Sequence, residues 1–301
     1  MLLVFGSVNL DIAFSAERLP LAGETVMGSG YLVSPGGKGA NQAHAARLFG
    51  GSVTLAAAVG RDAFAEPALA RLAGAGVDLA QVQRLDAPTG CAGIVVDARA
   101  ENQIVVAPGA NLALASHHVS DATLSMAQTV LLQMETDPAQ NADLLARARA
   151  AGCQTMLNNA PARRLTPEVL ALLDVLVVNE TELAATVEGA GIPAKGARAQ
   201  VEALASRFGM AVVLTLGAKG ALACAEHQVH AVASFPVDAV DTTGAGDTFT
   251  GVLAAARMEG QGWPQALRTA AAAAALACTK AGAQVAQPTR AEVNALLARA
   301  V

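Results

Sequence analysis

The chain is poor in the residues that mark several protein classes. Aromatic side chains make up only 3% of it, so a wall of rings around a flat base is hard to supply. Charged residues reach 15%, and the formal net charge of −5 gives no electrostatic footprint for nucleic acid or for an anionic membrane. Four cysteines, Cys91, Cys153, Cys224 and Cys278, are scattered without a CxxC spacing. They suit buried thiols in a reducing, cytoplasmic setting better than a zinc or disulfide framework. The five histidines, His44, His117, His118, His227 and His230, form no HExxH or other ligand spacing. A GxGxxG fingerprint is missing too, which weakens a dehydrogenase reading. The wholly apolar run 270–278 is too short to span a bilayer. Residues 1–6 lack a basic region and read as a buried first strand, not a signal peptide. With no Pro/Ser/Gly linker and no internal repeat, residues 1–301 read as a single domain.

What is present is an apolar fraction of 53%, enough for a sizeable core. Short apolar runs at 53–57, 130–132, 155–157, 175–178 and 212–215 predict buried strands. Longer Ala/Leu-rich segments at 40–49, 63–75, 139–150, 198–208 and 265–279 predict helices between them. That alternation predicts an α/β fold, a mostly parallel sheet with helices on both faces. Two regions break the pattern. Residues 12–33 carry little helical periodicity, and 91–106 read as two strands, 92–96 and 103–106, joined by a polar turn. Together they predict a small β-layer beyond the main sheet, placed to act as a lid.

The stretch Asp241-Thr242-Thr243-Gly244-Ala245-Gly246-Asp247 runs straight into the apolar Thr248-Phe249-Thr250-Gly251-Val252-Leu253. This reads as a glycine loop opening onto a helix, whose converging N–H groups and positive end make an anion site. Asp247 stands where those groups begin. A carboxylate there can take a proton from a hydroxyl while the amides stabilise a transferring phosphoryl group. Gly36-Gly37-Lys38-Gly39-Ala40-Asn41 permits a ligand close to the backbone, with Lys38 and Asn41 as donors; it lacks the Walker spacing. Asn179-Glu180-Thr181-Glu182 follows a strand, and Asn179 and Glu182 share a helical face that can hold a magnesium ion through its waters. Thr215-Leu216-Gly217-Ala218-Lys219-Gly220 also follows a strand, and turn chemistry alone explains it equally well. Asn9 and Asp11 alternate to one side, a pairing suited to vicinal hydroxyls, and Glu135 sits just past another strand end.

In this order the motifs resemble the PfkB carbohydrate kinases, and most closely the branch that phosphorylates ribose. The correspondence runs through 6–11, 20–25, 36–43, 105–111, 158–162, 179–182, 215–220, 241–247 and 282–284, nearly the whole chain. The resemblance implies a Rossmann-like three-layer αβα sandwich with a small β-sheet lid formed by about 12–33 and 91–106. It implies ATP-dependent phosphorylation of a free sugar hydroxyl, the 5-hydroxyl of ribose in that branch. Asp247 would then be the catalytic base, with Gly244, Ala245, Gly246 and Asp247 as the anion hole. Asn9, Asp11, Gly37, Lys38, Asn41 and Glu135 match sugar-contacting positions. Asn179, Thr215, Gly217, Lys219, Gly220, Gly246 and Ala271 match the nucleotide site, and Glu182 the magnesium-linked position. Asp241, Thr243, Ala277, Lys280, Gly282 and Ala286 match the site of a monovalent cation, usually potassium. Two positions depart: Ala286 stands where relatives often carry Ser, and Ala271 where they often carry Asn or His. In relatives the lids pair to form a homodimer. Kinases for another pentose, a ketohexose or a nucleoside are the alternatives within the class. A sugar-binding module without catalysis is the alternative outside it, and the intact Lys38, Glu182, Gly244, Gly246 and Asp247 argue against it.

Overall fold

The computed structural model describes residues 1–99 and 101–299. Residue 100 of the expected segment 91–106 and the last two residues of the 1–301 span lie outside the described residues.

A nine-stranded sheet forms the middle layer. Its strands are β1 (Leu2–Phe5), β4 (Val53–Gly60), β5 (Val82–Leu85), β8 (Thr129–Leu132), β9 (Gln154–Asn158), β10 (Val175–Val178), β11 (Ala211–Thr215), β12 (Ala221–Ala225) and β13 (Gln228–Val232). They lie in the order β13-β12-β11-β10-β9-β8-β1-β4-β5. Every pairing from β11 to β5 is parallel, and β12 runs antiparallel to both of its neighbours, β11 and β13. The central strands are buried along their whole length, as a sheet covered on both faces requires. One core packs Leu2, Val4 and Leu55 against helices α1 (Lys38–Leu48), α2 (Ala65–Ala75), α8 (Ala245–Met258), α9 (Trp263–Ala277) and α10 (Arg290–Arg299). The other packs Leu3, Phe5 and Leu132 against α3 (Asp121–Met126), α4 (Pro138–Ala150), α5 (Pro167–Leu170), α6 (Glu180–Ala190) and α7 (Ala197–Phe208). Alternate residues of one strand thus supply both cores, each buried leucine contributing roughly 1.5–3 kcal/mol. The three layers expected from the alternation of runs are all present.

The segments that broke the alternation form a second, four-stranded sheet in the order β3-β2-β6-β7. Its strands are β2 (Asn9–Ala16), β3 (Gly28–Gly36), β6 (Gly90–Val96) and β7 (Asn102–Ala107). β3 ends directly at the start of α1, so this sheet is rooted where the first helix begins. It exposes apolar side chains on both faces, Phe14, Tyr31 and Val105 on one and Leu32 and Ile104 on the other, with Tyr31 71% and Val105 75% exposed. Among the described residues no helix is long and apolar enough to cross a membrane.

Candidate active site

The site lies at the C-terminal ends of the parallel strands, where open α/β sheets bind ligands. Its floor is the loop entering α8. Gly244 adopts φ 74°, and a Cβ there would lie 3.0 Å from both Cα and Cβ of Ala283, so the position takes only glycine. The first-turn N–H groups of α8 have no intrahelical partner and form the positive end of its dipole. Asp247, in that first turn, is buried. Its Oδ2 accepts a hydrogen bond from Asn41 Nδ2 and its Oδ1 one from Gln42 Nε2, both at 2.9 Å. Both donors come from α1, which is brought against α8 at Gly251. A Cβ on Gly251 would stand 2.3 Å from the Gln42 carbonyl oxygen. Gln42 and Asn158 were not singled out as site residues by sequence, and neither was Gln133; all three cluster behind Asp247. The first two sit inside motifs already recognised, at 36–43 and 158–162, whereas nothing in the sequence marks Gln133.

Lys38 opens α1 after Gly37 and lines a chamber of about 160 Å³ together with Asp247, Gly244, Gly246, Asn179 and Glu182. The Asp247 carboxylate is the strongest influence holding its ammonium above the ordinary lysine range. Burial opposes this, and Glu135, Glu182 and Asp11 reinforce it. One cation therefore faces four carboxylates, a net negative cluster that keeps the Lys38 ammonium charged. Asn179 caps α6 and Glu182 lies in its first turn, and the two first satisfy one another. Glu182 Oε2 accepts from the Asn179 backbone N–H at 2.8 Å and Oε1 from Asn179 Nδ2 at 3.0 Å, while Asn179 Oδ1 accepts from the Glu182 N–H at 2.9 Å. This is a capping box turned toward the chamber. Burial, against the Asn179 N–H, pushes the Glu182 carboxyl above its usual range.

On the small-sheet side of Lys38, Glu135 Oε2 accepts from Ser7 Oγ at 2.6 Å and from the Lys38 backbone N–H at 2.9 Å. The Asp11 carboxyl is pushed up to about 6, by burial first and by Glu135 second, with Lys38 pulling the other way. Its Oδ1 is a buried acceptor with no partner. Asn9 is buried, its Oδ1 accepting from Asn111 Nδ2 at 2.8 Å; Asn111 also accepts from the Val8 N–H at 2.9 Å. Asn9, Asp11, Lys38 and Glu135 therefore gather at the root of the small sheet, with an acceptor to spare.

A second cavity, about 470 Å³, meets the chamber at Thr215 and Gly246. Its walls are apolar: Phe235, Val237, Phe249, Ala271, Ala274 and Cys278, with Gly217 and Gly220 at the rim. Lys219 is exposed on the turn and lines neither cavity. Asp241 clips the floor loop to the segment after α9, its Oδ2 accepting from the Gly282 N–H at 2.8 Å and its Oδ1 from the Thr243 N–H at 2.9 Å. Burial would raise this carboxyl, but those N–H groups and the Thr243 hydroxyl hold it below the usual range. Ala277 closes α9, Ala286 is buried, and Lys280 pairs with Glu292 at 3.4 Å. The clip brings the stretches carrying the six cation-matched residues together. Among the described residues no group of three or more His, Cys, Asp or Glu could hold a metal. A larger cavity, about 740 Å³, opens beside Trp263 and Arg257 at the opposite ends of β10 and β11, away from all of these residues.

The model for the pfkB family carbohydrate kinases matches residues 1–290. A ribokinase of Haemophilus influenzae is 36% identical over 304 residues, covering 99% of this chain and 99% of its own. Among solved structures, a ribokinase from Thermotoga maritima superposes with a TM-score of 0.92 at 32% identity, covering 99% of both chains. An Arabidopsis thaliana ribokinase complexed with ribose and ATP gives 0.90 at 32% identity over 98% of both. The carboxylate at a glycine-led helix start, the lysine ringed by acids and the full-length likeness have one reading: the chain belongs to the pfkB family of carbohydrate kinases.

Proposed function

We propose that this protein transfers the γ-phosphoryl group of ATP to the 5-hydroxyl of D-ribose. The observation that carries the reading is the placement of Asp247 and Lys38 in one small chamber that joins an apolar cavity on its far side. The adenine and ribosyl portion of ATP fits the apolar cavity, beside Thr215, Gly217, Gly220 and Ala271, and Asn179 faces the phosphates. Lys219, exposed on its turn, would act only on the outer edge of the nucleotide. The sugar fits at the small-sheet root, where Asn9, Asp11, Gly37, Lys38, Asn41 and Glu135 supply hydroxyl partners and the spare Asp11 oxygen takes one of them.

Phosphoryl transfer asks mainly for alignment and charge stabilisation. Asp247, with both oxygens braced, accepts the proton of the attacking hydroxyl. The N–H groups of Gly244, Ala245, Gly246 and Asp247 stabilise the charge on the phosphoryl oxygens in flight, and Lys38 adds a fixed positive charge. Glu182, a carboxylate on the chamber wall with lone pairs left after its capping bonds, fits a magnesium ion held through water beside the triphosphate; the ion supplies charge neutralisation. The hard oxygen donors at Asp241, Thr243, Ala277, Lys280, Gly282 and Ala286, drawn together by the Asp241–Gly282 bond, fit a potassium ion held by carbonyls. The segments 12–33 and 91–106 act as a lid, and the exposed apolar side chains of their sheet, Phe14, Tyr31 and Val105 on one face, pair with a second copy as a homodimer. The setting is cytoplasmic.

ADP release with Mg-ATP over ribose, 2-deoxyribose, other pentoses, fructose and nucleosides, with and without potassium, tests this. Ribose well ahead and stimulated by potassium is the expected result. Another sugar ahead keeps the chemistry and changes the substrate; no turnover on any sugar overturns the proposal.

A further inference from the structure

Gln42 is fully buried in α1, and its side-chain amide holds three partners at once. Nε2 donates to Asp247 Oδ1 and to Asn158 Oδ1, each at 2.9 Å, and Oε1 accepts from Gln133 Nε2 at 2.7 Å. The direction of the chain is set at its end. A carboxylate only accepts, so the NH2 of Gln42 faces Asp247 and its oxygen turns to Gln133. Asn158 is set as well, since its own Nδ2 donates to the Val177 carbonyl at 3.2 Å. Both protons of the Gln42 amide are spent, and the group has no freedom to flip. Asn41 braces the other oxygen of Asp247 and is itself held by Gln284 at 3.1 Å. Consecutive residues of one helix thus grip the two oxygens of one carboxylate from outside the chamber.

We propose that Gln42 is a positioning residue for phosphoryl transfer: it fixes the plane of the Asp247 carboxylate so that a free lone pair points at the attacking hydroxyl. The proposal rests on the reading of Asp247 as the base. The competing pull is Lys38, which lines the same chamber and on which the Asp247 carboxylate is the strongest influence. Released on one side, the carboxylate turns toward that ammonium and away from the hydroxyl. A misplacement of this size costs about 10²-fold in rate while leaving the substrates' own contacts intact.

The test compares Gln42→Met and Gln42→Glu, both close to glutamine in length, with Asp247→Asn as the reference for loss of the base. In Gln42→Met, kcat is expected to fall roughly ten- to hundredfold, with KM for ATP and for sugar each within about threefold. Gln42→Glu is expected to fall further, because an acceptor then faces an acceptor. A folded Gln42→Met with native kcat, a loss expressed mainly in either KM, or Gln42→Glu more active than Gln42→Met overturns the proposal. Should both fail to fold, Gln133→Met leaves Gln42 beside Asp247 but frees its oxygen. A severalfold drop in kcat at constant KM supports the clamp, and an unchanged kcat overturns it. Near-native turnover in Asp247→Asn removes the base reading itself, whereas a native Gln42→Met beside an inactive Asp247→Asn removes only the clamp.

Discussion

The two joined cavities are built on opposite principles. The chamber is about 160 Å³, walled by a lysine, two carboxylates, amides and helix N–H groups, each held by a named bond or a near charge. The neighbouring cavity is about 470 Å³ and walled by alanine, phenylalanine, valine and a thiol, with few directional groups. An apolar wall of that kind yields affinity in proportion to area and discriminates weakly between flat ligands. The polar chamber yields little affinity and nearly all of the geometry. Turnover and nucleotide binding should therefore separate on mutation.

The largest separation is expected for Asp247→Asn, which removes the proton acceptor. Turnover should drop at least ~10²-fold, the scale of general-base loss, with nucleotide affinity measured by calorimetry largely retained. Near-native turnover would end the assignment of the chamber as the reacting side. Next comes Asp11→Ala. A charged acceptor for a sugar hydroxyl is worth about 1.5–3 kcal/mol, so KM for sugar should rise roughly ten- to hundredfold while KM for ATP stays put. An unmoved sugar KM places Asp11 outside the site. The converse variant is Ala271→Leu, which overfills the apolar cavity. Overpacking costs about 1–3 kcal/mol, so KM for ATP should rise around tenfold with kcat and the sugar KM unchanged; a fall in kcat instead would show that the cavities are not separable. The smallest effect is in pH. Because burial and Glu135 lift Asp11 to about 6, its charge is present above that pH and lost below it. Sugar KM should be flat at higher pH and rise severalfold as pH falls through about 6, and the same titration on Asp11→Asn should show no such step.

Much of the architecture was legible in the chain. Continuous apolar runs such as 175–178 have one home, a strand covered on both faces, and Gly244 before Asp247 signals its loop because few other sequences tolerate that backbone. The hairpin β12–β13 was not legible, since its turn residues Glu226 and His227 both sit at positive φ without the Asn or Gly that announces such a turn. The partners of Asp247 were hidden for a different reason. In α1 the polar Asn41, Gln42 and His44 are all buried. A rule that sends polar side chains to solvent assigns these residues to the wrong face, and only the facing carboxylate and amides show why they are inside. In the turn 215–220 the glycines line the cavity, whereas Lys219 is exposed and lines neither cavity.

The grip of α1 on α8 joins residues 206 positions apart for Asn41 and 205 for Gln42, and Gln287 reaches back 246 positions to the Asn41 carbonyl. During synthesis the buried amides of α1 therefore wait for partners that have not yet been made. At roughly 5–20 residues per second the delay is on the order of ten to forty seconds, during which α1 carries polar groups that its final surroundings have yet to satisfy. All nine strands of the sheet, the last ending at Val232, precede α8 and can pair in that interval, but the reacting centre cannot form. It is completed in a single late event, when α8 and the segment after α9 close over the first helix.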